Sequence, residues 1–201
     1  MTPVKPPTLP DEPQRLEILA QYGILDTSAE QEYDDLTRLA TYVAGTPIAM
    51  VSLIDADRQW FKSRIGVTAE QTPRELAFCA HAIAGRDLFV VPDLQQDARF
   101  ADNPLVTGDA HFRFYAGMPL VSPEGHALGT LCVLDRVPRR LTPDQEEALR
   151  VLGRQVNMQL DLRRHMLKLV RTYAELAGTQ EKLAAVQIGR ASCRERVSNC
   201  V

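Results

Sequence analysis

The chain has 201 residues, 45% of them hydrophobic and 24% charged, and its 23 Lys+Arg against 26 Asp+Glu give a net charge of −3. That length holds one globular unit plus an appendage, and the composition excludes disorder along most of it. The charge balance leaves no electrostatic footprint for nucleic acid, and apolar runs such as 48–53 fall far below the ~20 residues of a membrane-spanning helix.

Residues 1–11 contain Pro3, Pro6, Pro7 and Pro10 and read as a flexible leader. They carry no hydrophobic signal segment, so a cytoplasmic, reducing location is expected. Cysteine usage agrees: Cys79 and Cys132 sit in apolar segments, and no CxxC or close Cys/His spacing suggests zinc.

From Glu12 the chain turns helical, with Leu16, Leu19 and Ala20 on one face and a stop at Tyr22-Gly23. Thr27 or Ser28 is the expected N-cap of a second helix, whose Tyr33, Leu36, Leu39, Ala40 and Val43 make an apolar stripe closed by Gly45 and Pro47. Residues 48–54 are apolar on both alternations, as in a central strand covered on both faces, and 59–65 return as its hairpin partner. A short helix at 76–84, a short strand at 88–91 and a polar, irregular stretch at 93–108 follow. Residues 112–121 and 127–135 form a second hairpin around Ser122-Pro-Glu-Gly125. Thr142 then caps a long helix with Pro143 at its first position.

This order predicts an α+β domain with one antiparallel sheet, helices from both ends on one face, and the crossover of 66–111 over the other. The expected division is a leader at 1–11, a globular domain at 12–145, a helix at 146–186 and a tail at 187–201. The tail (QIGRASCRERVSNCV, with Cys193 and Cys200) breaks the pattern of the helix and reads as non-native sequence.

The arrangement leaves a pocket between sheet and crossover, and its candidate ligand-binding residues are Arg113, Tyr115, His81, Phe78, Cys79, Phe100, Trp60 and Asp135. Cys79 and His81 are two apart on a helix and point roughly 200° away from each other, so they form neither a nucleophile–base pair nor a metal site. Cys79 falls on a stripe with Leu76, Ala80 and Ile83, where cysteine behaves as a small hydrophobe; a reactive or oxidant-sensing thiol is the alternative. Cys132 reads as core. Period-two alternation places Phe112 and Phe114 under the helices and turns Arg113 and Tyr115 toward the crossover. Arg113 then either pairs with Asp97 or Asp102, or holds an anionic ligand. Trp60 stacks on a ligand or covers the sheet, His81 is a pocket wall or a hydrogen-bonded core histidine, and Asp135 caps a turn or lines the pocket rim.

Several blocks resemble, in order, the N-terminal GAF sensor domains of bacterial signalling proteins: DRQWFKSRIG (57–66), ELAFCAHAI (75–83), VVPDLQQDARFADNPLV (90–106), RFYAGMPL (113–120) and GTLCVLD (129–135). The resemblance spans about residues 13–175. It implies an input module that binds a small molecule or dimerises, in the manner of modules attached to two-component histidine kinases or diguanylate cyclases. It names no ligand, and the cofactor is unknown. Bilin-binding members attach pigment through a cysteine beside a histidine, whereas here Ala110 precedes His111, so no covalent bilin is expected. Free methionine sulfoxide reductases of similar core use a cysteine just before the RFYAGMPL-like strand, and residues 93–118 contain none. Gly-rich phosphate loops, HExxH and Ser/His/Asp patterns are also absent. The chain is therefore expected to be a sensor rather than an enzyme.

In the long helix, Leu162, Leu169, Leu176 and Leu183 recur every seven residues, with Met166 and Tyr173 four residues after the first two. Such a seam calls for a partner helix, and a homodimer through a coiled coil is the simplest one. No kinase or GGDEF motif follows, so the chain reads as a fragment of a longer protein. The competing expectations are a ligand-free dimerisation module with a pocket collapsed by Phe78, Phe100 and Trp60, and a thiol-based redox sensor or reductase using Cys79 or Cys132.

Overall fold

The computed structural model describes residues 4–198, with side chains through residue 180. The first residues of the leader and the side chains of the expected tail thus lie outside the described residues. The elements are α1 (Glu12–Gln21), α2 (Gln31–Ala44), β1 (Ile48–Ile54), β2 (Arg58–Ile65), β3 (Gln71–Pro73), α3 (Phe78–Ala82), β4 (Phe89–Val91), α4 (Pro104–Thr107), β5 (Phe114–Val121), β6 (Ala127–Asp135) and α5 (Pro143–Ser198).

The strands form one six-stranded antiparallel sheet in the order β3-β2-β1-β6-β5-β4. Both expected hairpins form, and their apolar strands β1 and β6 meet at the centre of the sheet. Every residue of β1 and of β6 is buried because each face has its own apolar cover. On one face Ile18, Leu19, Tyr33, Ala40, Leu149, Val156 and Leu160 pack against Val51, Leu53, Phe114 and Leu131. On the other, Phe78, Ile83, Leu94, Phe100 and Val106 pack against Ile48, Met50, Phe61 and Leu134. The fold is the expected α+β layer arrangement, with the short strand β3 and the single-turn helix α4 as additions.

The helices sit differently from the sequence reading in detail. In α1 the buried face is Arg15, Ile18 and Leu19, whereas Ala20 is exposed. A buried arginine is tolerated because Glu12 receives its guanidinium through two hydrogen bonds, at 3.0 and 2.6 Å, and also pairs with Arg74. Burial alone would raise the Glu12 carboxyl, but the Arg15 and Arg74 guanidiniums overcome this and lower it to about 2, from 4.5. A depressed carboxylate contributes stability above its unfolded value and loses it as pH falls through the folded one. Acid unfolding between about pH 4.5 and 2 should therefore be blunted in Glu12→Gln, whose neutral-pH stability should drop by about 1–2 kcal/mol after solvent screening. Parallel pH–stability curves of the two proteins would reject this.

α2 is not capped by Thr27 or Ser28: its N-cap is Glu30, and no side chain caps it. Thr27 Oγ1 and the Ser28 carbonyl instead receive the buried Lys62 ammonium at 2.9 and 2.7 Å, with Glu30 at 2.6 Å. A bulge opposite Val51/Ser52 produces this geometry, since Val51 pairs with Ser63 and Ser52 with Phe61. Lys62 is the extra residue, and Ser63 turns to Asp34 of α2 (2.6 Å) rather than to the side of Phe61.

Thr142 does open α5: Gln145 N–H donates to Thr142 Oγ1 and Thr142 N–H to Gln145 Oε1 (3.2 and 2.9 Å). The Gln145 amide also reaches the Val43 carbonyl at 2.9 Å, tying the start of α5 to the end of α2. Residues 1–162 and 163–201 form separate compact units, the second built from the continuation of α5.

Candidate functional site

A cavity of about 350 Å3 lies on the crossover face of the sheet. Met50, Phe61, Leu134 and Tyr115 rise from the strands, α3 contributes Phe78 and Cys79, and segments 66–72 and 105–112 complete the walls. Most of the lining is apolar. The polar groups are Gln59, Thr68, Thr72, Cys79, Tyr115 and, at the mouth, the exposed Arg136. This composition matches small-molecule sites in general, which pair an apolar body with a few placed polar groups.

Of the residues singled out from sequence, Phe78, Cys79 and Tyr115 line the cavity. Phe100 lies behind Phe78, their rings edge to face at 5.3 Å, and His81 in turn meets Phe100 at 4.8 Å. Burial, with Arg99 nearby, lowers the His81 imidazole below its ordinary value, consistent with a neutral ring against aromatics.

Two placements settle alternatives the sequence left open, those of Trp60 and Asp135, and two correct it, those of Arg113 and Phe112. Trp60 is on the opposite face, in the helix-side core, and covers the sheet. It therefore has no part in filling the cavity. Arg113 forms a two-pronged pair with Asp93 (2.8 and 2.7 Å), not with Asp97 or Asp102, in a surface depression with Pro92 and Arg139. Asp135 accepts from the N–H groups of Arg136 and Val137 and pairs with Arg139 at 2.5 Å, so it caps the turn after β6. Alternation failed at Phe112 for a local reason. His111 has φ 49°, which reorients the chain just before β5, and Phe112 enters the cavity side instead of the helix side.

Sequence reasoning passed over Gln59, Phe61 and Arg136 as lining residues. Gln59 carried a usable signal, since a polar amide inside a buried strand requires a partner. Its Nε2 donates to Cys79 Sγ at 3.3 Å, and the Tyr115 hydroxyl donates to the same sulfur at 3.3 Å. Cys79 and Cys132, both free, have their sulfurs 3.7 Å apart. Ser52 and Thr130 hydroxyls, 3.2 Å apart, lie in the same buried layer. Burial by itself would raise the Cys79 thiol, but its hydrogen-bonding neighbours Cys132, Ser52, Thr130 and Tyr115 outweigh it and lower the thiol below its ordinary value. Cys132 moves the other way, raised by its bond to Cys79 and by burial. Burial and the neighbouring Cys79 hold the Tyr115 phenol well above 10, so it remains a donor.

Gly117 makes this geometry available. Tyr115 lies along the strand over it, and a Cβ at Gly117 would collide with the Tyr115 hydroxyl and sit 2.7 Å from Cζ. Among the described residues no cluster of His, Cys, Asp or Glu has the grouping of a metal site, and no helix is long and apolar enough to cross a membrane.

Comparison with known proteins places this architecture. The chain is 44% identical over 144 residues to a cyclic di-GMP phosphodiesterase of Pseudomonas aeruginosa, covering 72% of this chain and 24% of that protein. It thus spans about a quarter of the length of that relative. In fold it resembles the GAF domain of an Acinetobacter phosphoenolpyruvate-protein phosphotransferase (14% identity, TM-score 0.56, 77% of this chain and 95% of that one). It also resembles the free methionine-R-sulfoxide reductase of Neisseria meningitidis, solved with its substrate (14% identity, TM-score 0.55, 83% and 99%). Residues 28–160 match the GAF domain family, a family of signalling and sensory modules, and the chain belongs to it.

Proposed function

We propose that the chain is the input module of a signalling protein, taking a small molecule into the cavity and passing its occupancy through α5 to an output domain that handles a nucleotide second messenger. The cavity carries the reading: about 350 Å3, apolar on most sides, with Gln59, Tyr115 and Cys79 gathered at one wall and Arg136 at the mouth. A ligand with a flat apolar body and a hydrogen-bonding edge suits that lining. The nucleotide output is suggested by the phosphodiesterase relative, of which this chain corresponds to a quarter.

Pairing of α5 with a second copy is part of the proposal. Leu162, Met166, Leu169, Tyr173 and Leu176 follow the seven-residue repeat and are 56–77% exposed, a seam that a parallel partner helix would cover. Ligand then acts by its differential affinity for two arrangements of the paired helices.

Native mass spectrometry of the chain tests both parts. The wild type should carry a co-purified small molecule and register as a dimer. Ala110→Trp, which fills the cavity, should lose the small molecule, and Leu169→Glu with Tyr173→Glu should give a monomer. Retention of the same molecule by Ala110→Trp, or a monomeric wild type, would overturn the corresponding part.

A further inference from the structure

We propose that Cys79 and Cys132 form a peroxide-reactive dithiol, in which Cys79 is oxidised first by a hydroperoxide entering through the cavity and Cys132 resolves it to an intramolecular disulfide. The proposal is independent of the ligand reading, because it needs the cavity only as a route of entry.

Two asymmetries of position set the order of reaction. Cys79 forms part of the cavity wall, whereas Cys132 does not and is fully buried beneath it in β6. A water-sized oxidant therefore meets Cys79 first. Cys79 Sγ is also where two donors converge, the Gln59 amide at 3.3 Å and the Tyr115 hydroxyl at 3.3 Å, with the Cys132 sulfur 3.7 Å away. Donors aimed at one sulfur favour its thiolate, and the thiolate is the nucleophile in thiol oxidation.

The chemistry balances without a further reagent. The Cys79 thiol gives its proton to solvent and the thiolate attacks one peroxide oxygen; an S–O bond forms, the O–O bond breaks, and the leaving hydroxide (or alkoxide) takes up that proton. Cys79 is now a sulfenic acid, oxidised by two electrons. The Cys132 sulfur then attacks the Cys79 sulfur, forming S–S and breaking S–O, and its proton leaves with the hydroxide as water. With hydrogen peroxide, two thiols and one peroxide give one disulfide and two waters. The sulfurs must close from 3.7 Å to about 2.05 Å. The product ties α3 to β6 and turns the sulfur on which Gln59 and Tyr115 converge into a weaker acceptor, so the polar wall of the cavity is altered by oxidation.

The test uses the full chain carrying Cys193→Ser and Cys200→Ser, so that only this pair can react. After native exposure to hydrogen peroxide and alkylation of remaining thiols, intact mass should show the loss of two hydrogens with no alkyl added, and peptide mapping should join Cys79 to Cys132. Dithiothreitol should reverse both. Cys132→Ser should stop at a dimedone-trappable sulfenic acid on Cys79, and Cys79→Ser should stay inert. Tyr115→Phe removes one donor and should move the pH–rate profile of oxidation upward by about one unit, a signature that mere loosening would not give. The mapping on the protein with both cysteines needs no core variant, so it stands even if those variants misfold. Two free thiols after millimolar peroxide, or a sulfenic acid confined to Cys132, would overturn the proposal.

Discussion

Gly129→Ala is expected to lower the unfolding free energy by about 3 kcal/mol, close to the practical limit for one methyl group. Gly129 lies in β6, opposite Leu53 of β1 on one side and Leu120 of β5 on the other. A Cβ built there falls inside the contact distance of the Ser52 carbonyl oxygen and 2.8 Å from Leu53 Cα. Both obstacles are backbone of the central strand, so no side chain can swing aside. Overpacking that side chains absorb costs about 1–3 kcal/mol, and a clash with the main chain belongs at the upper end. Against a total of about 5–15 kcal/mol for an ordinary domain, the loss should show as a large drop in the urea midpoint at unchanged slope. Gly153→Ala is the matched control, because its obstacle is the Met118 side chain, which can rotate. Equal midpoints for Gly129→Ala and the wild type would mean that β1 and β6 do not approach this closely.

The same pair of strands shows why part of the architecture was legible and part was not. Apolar runs interrupted by 55–57 and 122–125 announce two hairpins, and Thr142-Pro143 announces α5, because these signals are local. Which face a residue occupies is a different matter in a sheet buried on both sides. Trp60 and Phe61 are equally apolar, so composition gives no direction, and Lys62 occupies a bulge that no periodicity reveals. Arg113 was readable as half of an ion pair, yet its partner Asp93 is chosen by the docking of β4 against β5, a long-range event. The cavity is harder still. Its walls at 66–72 and 105–112 are short irregular segments, and the convergence of Gln59, Tyr115 and Cys79 joins three elements far apart in sequence. Only the buried amide of Gln59 and the small residue two positions after Tyr115 hinted that a polar point lay there.

Phe78→Ala carries the other large effect: a loss of about 3–4 kcal/mol, against about 1 kcal/mol for Phe78→Leu. The ring is 3% exposed although it borders the cavity, and it meets Phe100 at 5.3 Å, Tyr115 at 5.7 Å and Phe112 at 6.4 Å, all edge to face. Truncation removes buried apolar surface, three aromatic contacts and the support between cavity and crossover in one step. The consequence extends beyond stability. α3 has five residues, too few to hold helical geometry on their own, so tertiary packing must fix it, and Phe78 supplies much of that packing. Cys79 is the next residue. Loss of the ring should therefore loosen the alignment of Cys79 with Gln59, Tyr115 and Cys132 even in molecules that remain folded. Urea unfolding read together with the labelling rate of Cys79 under native conditions checks this. The midpoint should fall and labelling should quicken, with Phe78→Leu intermediate in both. A Phe78→Ala protein within about 1 kcal/mol of the wild type would make the ring a loose wall facing solvent rather than the support of α3.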